Sequence, residues 1–279
     1  MSPRRAREPD NRILAGPAVF DTVLVGIDAT DESLVAAAQA GVLRAPSGRL
    51  VLLAAVERHK ATHAGLFAAQ AENDLLAGTS TELERALELV DADDAVLAAG
   101  SLVALLCSEC ERRGGTLIAV GVRPHRRIGA LTFGGHEVEA LRDVPCSVLV
   151  ARAGWGPAPP ERIVVGVDGS SESLAAEGAA RALADRLGRE VVPAIGLADG
   201  VDLGVLRSER EDALLHPGSL LDAVVGASTA HSLIVVGRAP RRGRRRDGLA
   251  ERVVHASRCS VLVVEHRAPS EPESPAADG

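Results

Sequence analysis

Lysine and cysteine are scarce in this sequence, and their scarcity excludes several kinds of site. Lys60 is the only lysine, and it stands between His59 and Ala61, so no lysine follows a glycine-rich turn as in a P-loop nucleotide site. Four cysteines in 279 residues are too few for a disulfide scaffold and indicate a cytoplasmic protein with reduced thiols. The formal net charge of −7 argues against a nucleic-acid partner.

Long apolar segments are also missing. Because no run of 18 apolar residues occurs, we expect neither a membrane span nor a membrane partner. The first 12 residues are polar and rich in arginine, and they lack the apolar centre of a signal peptide. Both observations favour the cytoplasm.

What the sequence does contain is a series of short, continuous apolar runs. Such runs are typical of strands buried on both faces of a parallel sheet. In the first part of the chain we predict strands at residues 23–27, 50–56, 95–98, 117–121 and 146–150. Helices are predicted at 34–43, 80–89 and 101–113, and a turn at 46–48. Strands that alternate with helices indicate an α/β fold with parallel pairing.

The same blocks of sequence occur twice, in the same order. Residues 164–168, 212–220, 233–237 and 259–263 repeat residues 24–28, 94–102, 117–121 and 146–150. The offset between equivalent positions falls from 140 (168 − 28) to 113 (259 − 146), so the second copy is shorter. Four ordered repeats indicate a tandem duplication.

The repeats and the composition between them define the domain boundaries. We predict a first copy at residues 19–152, a linker rich in glycine and proline at 153–160, and a second copy at 161–265. Residues 1–18 and the acidic residues 266–279 have no apolar periodicity, and we expect both tails to be disordered.

The glycines after residue 120 resemble those of the universal stress protein family. That family has a glycine, two residues, a second glycine, nine residues and a third glycine followed by serine or threonine. Gly121 and Gly134 hold the first and third positions, Pro124 replaces the second, and Gly135 replaces the hydroxyl residue. The family's last strand follows at 146–150, and residues 165–173 of the second copy are similar to its N-terminal signature.

The resemblance covers roughly residues 20–152 and 161–265, and it implies two tandem Rossmann-like domains. Each is expected to have a five-stranded parallel sheet of order 3-2-1-4-5 with helices on both faces, and the second is shortened. It also implies that the two copies pair as an intramolecular pseudo-dimer, and it leaves a homodimer open. Ligands of such sheets bind at the carboxyl ends of the strands, beside the switch in strand order.

The resemblance also implies which residues would hold an adenine nucleotide, either ATP or another, with or without Mg²⁺. In the first copy the aspartate after strand one would lie by the adenosine, the end of strand two by the base, and the glycines by the phosphates. These positions are Asp28, Val56, Gly121, Gly134 and Gly135. Alternatively, Asp28 caps a helix and the glycines only turn the chain.

The second copy departs further from the family pattern. Its weaker candidates are Asp168, Gly169, Ser170, Gly237 and Gly248, while Asp247 stands where Gly134 stands in the first copy and Pro240 matches Pro124. A carboxylate repels phosphate, so we predict at most one nucleotide per chain, bound by the first copy.

Six arginines of the second copy stand close together in the sequence, at positions 238, 241, 242, 244, 245 and 246. They would either bind an anion or an acidic partner or form a solvated loop, and we favour the loop.

Cys107 and Cys110 form an isolated C-x-x-C pair on a predicted helix. We favour packing over metal or redox use for this pair, because no second pair completes a zinc site.

The sequence reveals no nucleophile paired with a base, so we do not expect an enzyme, although a slow ATPase is a third, weaker hypothesis. The leading hypothesis is a cytoplasmic regulatory module for stress responses that binds a nucleotide. The alternative is a protein-interaction module of the same fold with degenerate nucleotide sites.

Overall fold

A computed structural model describes residues 20–28, 30–56, 68–122, 144–198, 212–238 and 248–266. The first copy contains β1 (Phe20–Ile27), α1 (Asp31–Leu43), β2 (Arg44–Val56), α2 (Ala68–Leu89), β3 (Asp94–Ala99), α3 (Leu102–Arg113), β4 (Leu117–Gly121) and β5 (Ser147–Ala151). The second copy contains β6 (Arg162–Gly166), α4 (Ser171–Leu187), β7 (Glu190–Gly196), β8 (Leu214–His216), α5 (Leu220–Ala227), β9 (Ser232–Gly237), α6 (Leu249–Ala256) and β10 (Ser260–Val264).

Local sequence signals set the ends of these helices. Thr30 caps α1 by accepting a hydrogen bond from the backbone N–H of Ser33, and Ser170 caps α4 in the same way. Gly114 ends α3 and Gly188 ends α4, both in the left-handed conformation that glycine adopts without steric cost. The two copies therefore begin their first helix with the same device.

The ten strands of the described ranges lie in one sheet of order β3-β2-β1-β4-β5-β10-β9-β6-β7-β8. The first copy has the predicted order 3-2-1-4-5 with parallel neighbours, which confirms the predicted fold class. In the second copy the strand order is the same, and its edge strand β8 has only three residues. The helices form two layers: α1, α2 and α4 cover one face of the sheet, and α3, α5 and α6 cover the other.

The two copies join through antiparallel pairing of β5 with β10. Leu149 pairs with Leu262, and the neighbouring pairs are Val150 with Val261 and Val148 with Val263. Leu149 and Leu262 are equivalent positions in the repeat, separated by the offset of 113 (262 − 149). Equivalent residues that face each other in an antiparallel pair lie on a twofold axis, so this pair marks the pseudo-twofold axis between the copies.

A buried glutamine connects the copies beside that axis. Gln39 of α1 is fully buried, and its Nε2 donates to the carbonyl oxygens of Arg152 and Trp155 at 2.8 Å each. Its Oε1 accepts a 2.7 Å hydrogen bond from the Ser260 hydroxyl of β10. Arg186 of α4 donates to two carbonyl oxygens at the end of α1, at 2.9 and 3.0 Å. The predicted linker thus contributes buried groups to the contact between the copies.

The predicted turn at residues 46–48 was wrong, because these residues lie within β2. Phe20 pairs with Arg44 and Thr22 pairs with Arg49. An advance of two positions along β1 therefore corresponds to an advance of five positions along β2. The register shift places the extra residues in an irregularity of the strand rather than in a connection. Helix α2 also begins at Ala68, well before the predicted residue 80. The N-terminal tail and residues 267–279 lie outside the described residues.

Candidate functional site

The carboxyl ends of β1, β2 and β4 meet at one edge of the first copy. Val25 pairs with Ala119 of β4, and Ile27 pairs with Ala54 of β2, so the three parallel strands end at nearly the same level. The structure therefore places Asp28, Val56 and Gly121 together at this edge. The edge lies at the switch between β1 and β4, where open parallel sheets bind ligands. The other two candidates, Gly134 and Gly135, lie outside the described residues.

Asp28 is exposed, and the first turn of α1 fixes its position. The Thr30 hydroxyl donates a short hydrogen bond to the Asp28 carboxylate. The Ser33 hydroxyl donates to the carbonyl oxygen of Asp28 at 2.9 Å. An exposed carboxylate held in this way can accept hydrogen bonds from the hydroxyl groups of a ligand.

Gly121 has a packing role that the sequence did not reveal. A Cβ atom at this position would lie 2.0 Å from the backbone oxygen of Glu32, so the end of β4 can approach α1 only without a side chain. In the second copy, a Cβ on Gly237 would lie 2.2 Å from the oxygen of Glu172. Both glycines therefore bring strand four against the first helical turn of its own copy, beside the candidate site.

The turn after strand one, which would hold the adenosine, is well formed in the second copy. Asp168 accepts hydrogen bonds from the backbone N–H of Ser170 at 2.9 Å and from its hydroxyl at 2.6 Å. Burial works against ionisation of Asp168, yet the hydrogen bonds from Ser170 and Ser173 hold the pKa of its carboxyl below the usual value. Gly169 has φ of 84°, which suits glycine in this tight turn.

The end of strand two differs between the copies. Val56 ends β2, whereas Gly196 ends β7. A Cβ on Gly196 would lie 2.1 Å from the backbone nitrogen of Leu220, so the N-terminus of α5 closes over that strand end. Gly26 pairs with Leu53 and Gly166 pairs with Ala194, so Gly196 corresponds to Ala55, and the counterpart of the buried Val56 is the exposed Leu197.

The helix N-terminus of the second copy carries a carboxylate. Gly248 is the N-cap of α6, and a Cβ there would lie 2.7 Å from Oε2 of Glu251. The Glu251 carboxylate therefore lies against the positive end of the helix, where an anion would bind. It would repel a phosphate at Gly248.

Arg238 is the one described member of the six arginines, and it is engaged in structure. Its guanidinium donates to the carbonyl oxygens of Val144 at 2.6 Å and Cys146 at 3.0 Å, and it forms a 2.8 Å ion pair with Glu265. Arg238 thus connects the two copies rather than facing solvent as part of a loop. The other five arginines lie outside the described residues.

The C-x-x-C pair of Cys107 and Cys110 is not a self-contained site. Cys110 is buried against Cys146, which is distant in sequence, while Cys107 is partly exposed on the same helix. Within the described ranges, no group of three histidine, cysteine or acidic side chains could hold a metal ion. In the same part of the chain, no helix is both long and apolar enough to cross a membrane.

Comparison with known proteins identifies the first copy. The model of the universal stress protein family matches residues 20–152, the segment that carries Asp28, Val56 and Gly121. No curated protein matches the sequence.

Two solved structures, the first two described below, have the same fold over both copies. A universal stress protein from Archaeoglobus fulgidus DSM 4304 is 16% identical, with a TM-score of 0.64 over 88% of this chain and 98% of that one. A functionally unknown protein from Pseudomonas aeruginosa PAO1 is 18% identical, with a TM-score of 0.58 over 89% of this chain and 93% of that one. A universal stress protein solved in complex with cAMP is 22% identical, with a TM-score of 0.31 over 48% of this chain and 98% of that one.

Proposed function

Since residues 20–152 belong to the universal stress protein family, we propose that this first copy binds an adenine nucleotide. ATP is the first ligand to test, with and without Mg²⁺. One observation supports this proposal most: Asp28, Val56 and Gly121 lie together at the carboxyl edge of β1, β2 and β4. The bound nucleotide serves as a signal, and the protein acts as a regulatory module in the cytoplasm during stress.

Each of the three residues has a distinct part in the proposed site. The exposed carboxylate of Asp28 accepts hydrogen bonds from ligand hydroxyl groups. Val56 is almost fully buried at the end of β2 and offers an apolar contact to the base. Gly121 allows the end of β4 to lie against the first turn of α1, because any side chain there would collide with the backbone of Glu32.

The first copy is the proposed binding copy because the second has lost three features. Glu251 places a carboxylate at the N-terminus of α6, and the N-terminus of α5 lies against Gly196 at the end of β7. The loop before α6 is also three residues shorter than in the first copy (116 − 113), and it carries Asp247. We expect the second copy to stabilise the first rather than to bind phosphate.

The two copies act as one intramolecular pseudo-dimer in this proposal. Pairing of β5 with β10, the Gln39 contacts and Arg238 all connect them. A ligand at the first copy would therefore act on a surface formed by both. Strands β3 and β8 form the two outer edges of the sheet and are the places where a homodimer could add.

A second candidate function is a protein-interaction module that needs no nucleotide. Two observations favour it: Gly121 is required for packing against Glu32, and the Asp28 carboxylate already accepts a hydrogen bond from Thr30. Both residues would then have structural reasons to be present. In that case, the partner rather than a nucleotide carries the signal.

Mass spectrometry of nucleotide carried through purification separates the two functions. The full chain is purified without added nucleotide, denatured, and assayed for released ATP, ADP, AMP and cAMP. We expect one adenine nucleotide per chain, lost in an Asp28→Ala variant whose circular dichroism is unchanged. If no nucleotide is released and none binds when added, the interaction module is the better account.

A further inference from the structure

The first copy contains a buried pair of thiols that the proposed function does not use. Cys110 on α3 and Cys146 just before β5 are 2% and 3% exposed, and their Sγ atoms lie 3.3 Å apart. Both are free cysteines. Because a disulfide bond is about 2.05 Å long, the sulfur atoms need to approach by little more than about 1 Å.

Neighbouring residues leave room for this pair. A Cβ on Gly115 would lie 2.8 Å from Sγ of Cys110, so glycine at that position opens the space that the sulfur occupies. The Cys110 thiol also lies 3.7 Å from the carbonyl oxygen of Gly115. The second copy has only one sulfur at the corresponding place, because Ser228 lies within hydrogen-bonding range of Cys259 there.

We propose that Cys110 and Cys146 form a redox-modification site, at which a hydroperoxide converts the two thiols into a disulfide that joins α3 to the start of β5. The bond would link residues 36 apart and enclose residues 111–145, which include the glycines at positions 121, 134 and 135. This inference does not depend on nucleotide binding. It requires only the two sulfur atoms and a small oxidant.

The chemistry balances with one equivalent of hydrogen peroxide. The Cys110 thiol loses its proton and the thiolate attacks a peroxide oxygen; the O–O bond breaks, a sulfenic acid forms, and the hydroxide that leaves takes up a proton to become water. The Cys146 sulfur then attacks the Cys110 sulfur, the S–O bond breaks, and a second water leaves. Two thiols lose two electrons, and one peroxide is reduced to two molecules of water.

The environment favours Cys110 as the attacking group. A hydrogen bond from Cys146 lowers the pKa of the Cys110 thiol, although burial opposes this. The same shared hydrogen bond, together with burial, raises the pKa of Cys146. The proton therefore remains on Cys146 until the sulfenic acid forms on its neighbour.

The test treats the native full chain with hydrogen peroxide, denatures it, alkylates the remaining thiols, and digests it with trypsin. We expect two of the four cysteines to resist alkylation until a reductant is added. The linked peptides should be residues 86–112 and 143–152, and fragmentation should place the bond at Cys110. A link between Cys107 and Cys110, stable sulfinic acid, or four alkylated thiols would overturn the proposal.

The second copy supplies a matched control. Cys110→Ser reproduces the arrangement of Ser228 and Cys259, so this variant should fold, and it should keep all three of its thiols available for alkylation after peroxide. Cys107→Ser should still form the link. If Cys110→Ser loses thiols to the same extent as the native chain, the pair is not the site of oxidation.

Discussion

Replacing Gln39 with leucine tests whether the two copies form one cooperative unit. The side chain is fully buried, and it bonds to the linker and to β10 through three hydrogen bonds of 2.7–2.8 Å. Leucine has a similar volume but no polar atoms. The change therefore removes the hydrogen bonds while leaving little cavity.

The loss of unfolding free energy in Gln39→Leu depends on which hydrogen bonds the former partners of Gln39 retain. Ser260 still donates to the Arg152 carbonyl oxygen at 3.1 Å, so that pair keeps one hydrogen bond. The carbonyl oxygen of Trp155 loses the hydrogen bond from Gln39 inside the protein. A buried group left unsatisfied costs about 1–3 kcal/mol, and each lost hydrogen bond costs about 0.5–1.5 kcal/mol. We expect the free energy of unfolding to fall by about 3 kcal/mol.

Urea unfolding of the full chain, monitored by circular dichroism, measures this change. Ser260→Ala is the comparison and should cost about 1–3 kcal/mol, because it removes the hydroxyl that donates to Gln39 and accepts from the backbone N–H of Arg152. The double variant should cost less than the sum of the two, since both share one hydrogen bond. A loss below about 0.5 kcal/mol for Gln39→Leu, or strict additivity, would refute the reasoning.

Three further predictions concern packing, charge and assembly. Gly121→Ala should destabilise the chain by about 1–3 kcal/mol in urea unfolding, because its Cβ would meet backbone at 2.0 Å, whereas Gly226→Ala, with nothing within 4 Å, should not. Hydrogen bonds from two arginines lower the pKa of Glu109 from 4.5 to about 2. Glu109→Gln should therefore cost about 0.5–1 kcal/mol above pH 4.5, and this difference should vanish as the pH falls toward 2, which unfolding at several pH values would check. Residues 1–155 alone should dimerise or aggregate, because β5 is buried in the full chain; a well-behaved monomer in light scattering would contradict this.

The strands could be predicted from the repeated apolar runs, and the order of the strands in the sheet from the family resemblance. Strands such as residues 117–121 are apolar throughout, and each run appears twice in the same order. Burial on both faces leaves no other place for such runs in an α/β protein. The position of Asp28 at a strand end followed from the same pattern.

The contacts between distant elements could not be predicted. Gln39 lies among alanines on α1, and nothing local shows that its amide is buried against β10. Cys146 is 36 residues from Cys110, and no local pattern in the sequence indicates that the two sulfur atoms lie together. Glu251 resembles an ordinary helix residue until the structure places it at Gly248. In each case tertiary packing, which sequence periodicity does not report, sets the role.

Calorimetric titration with ATP tests the central claim most directly. We expect one site on the full chain, unchanged by Asp168→Ala. Asp28→Ala should weaken binding about tenfold or more, since a hydrogen bond to a charged group contributes about 1.5–3 kcal/mol. Binding that survives Asp28→Ala but disappears with Asp168→Ala would place the site in the second copy, and no binding by the folded full chain would contradict the claim.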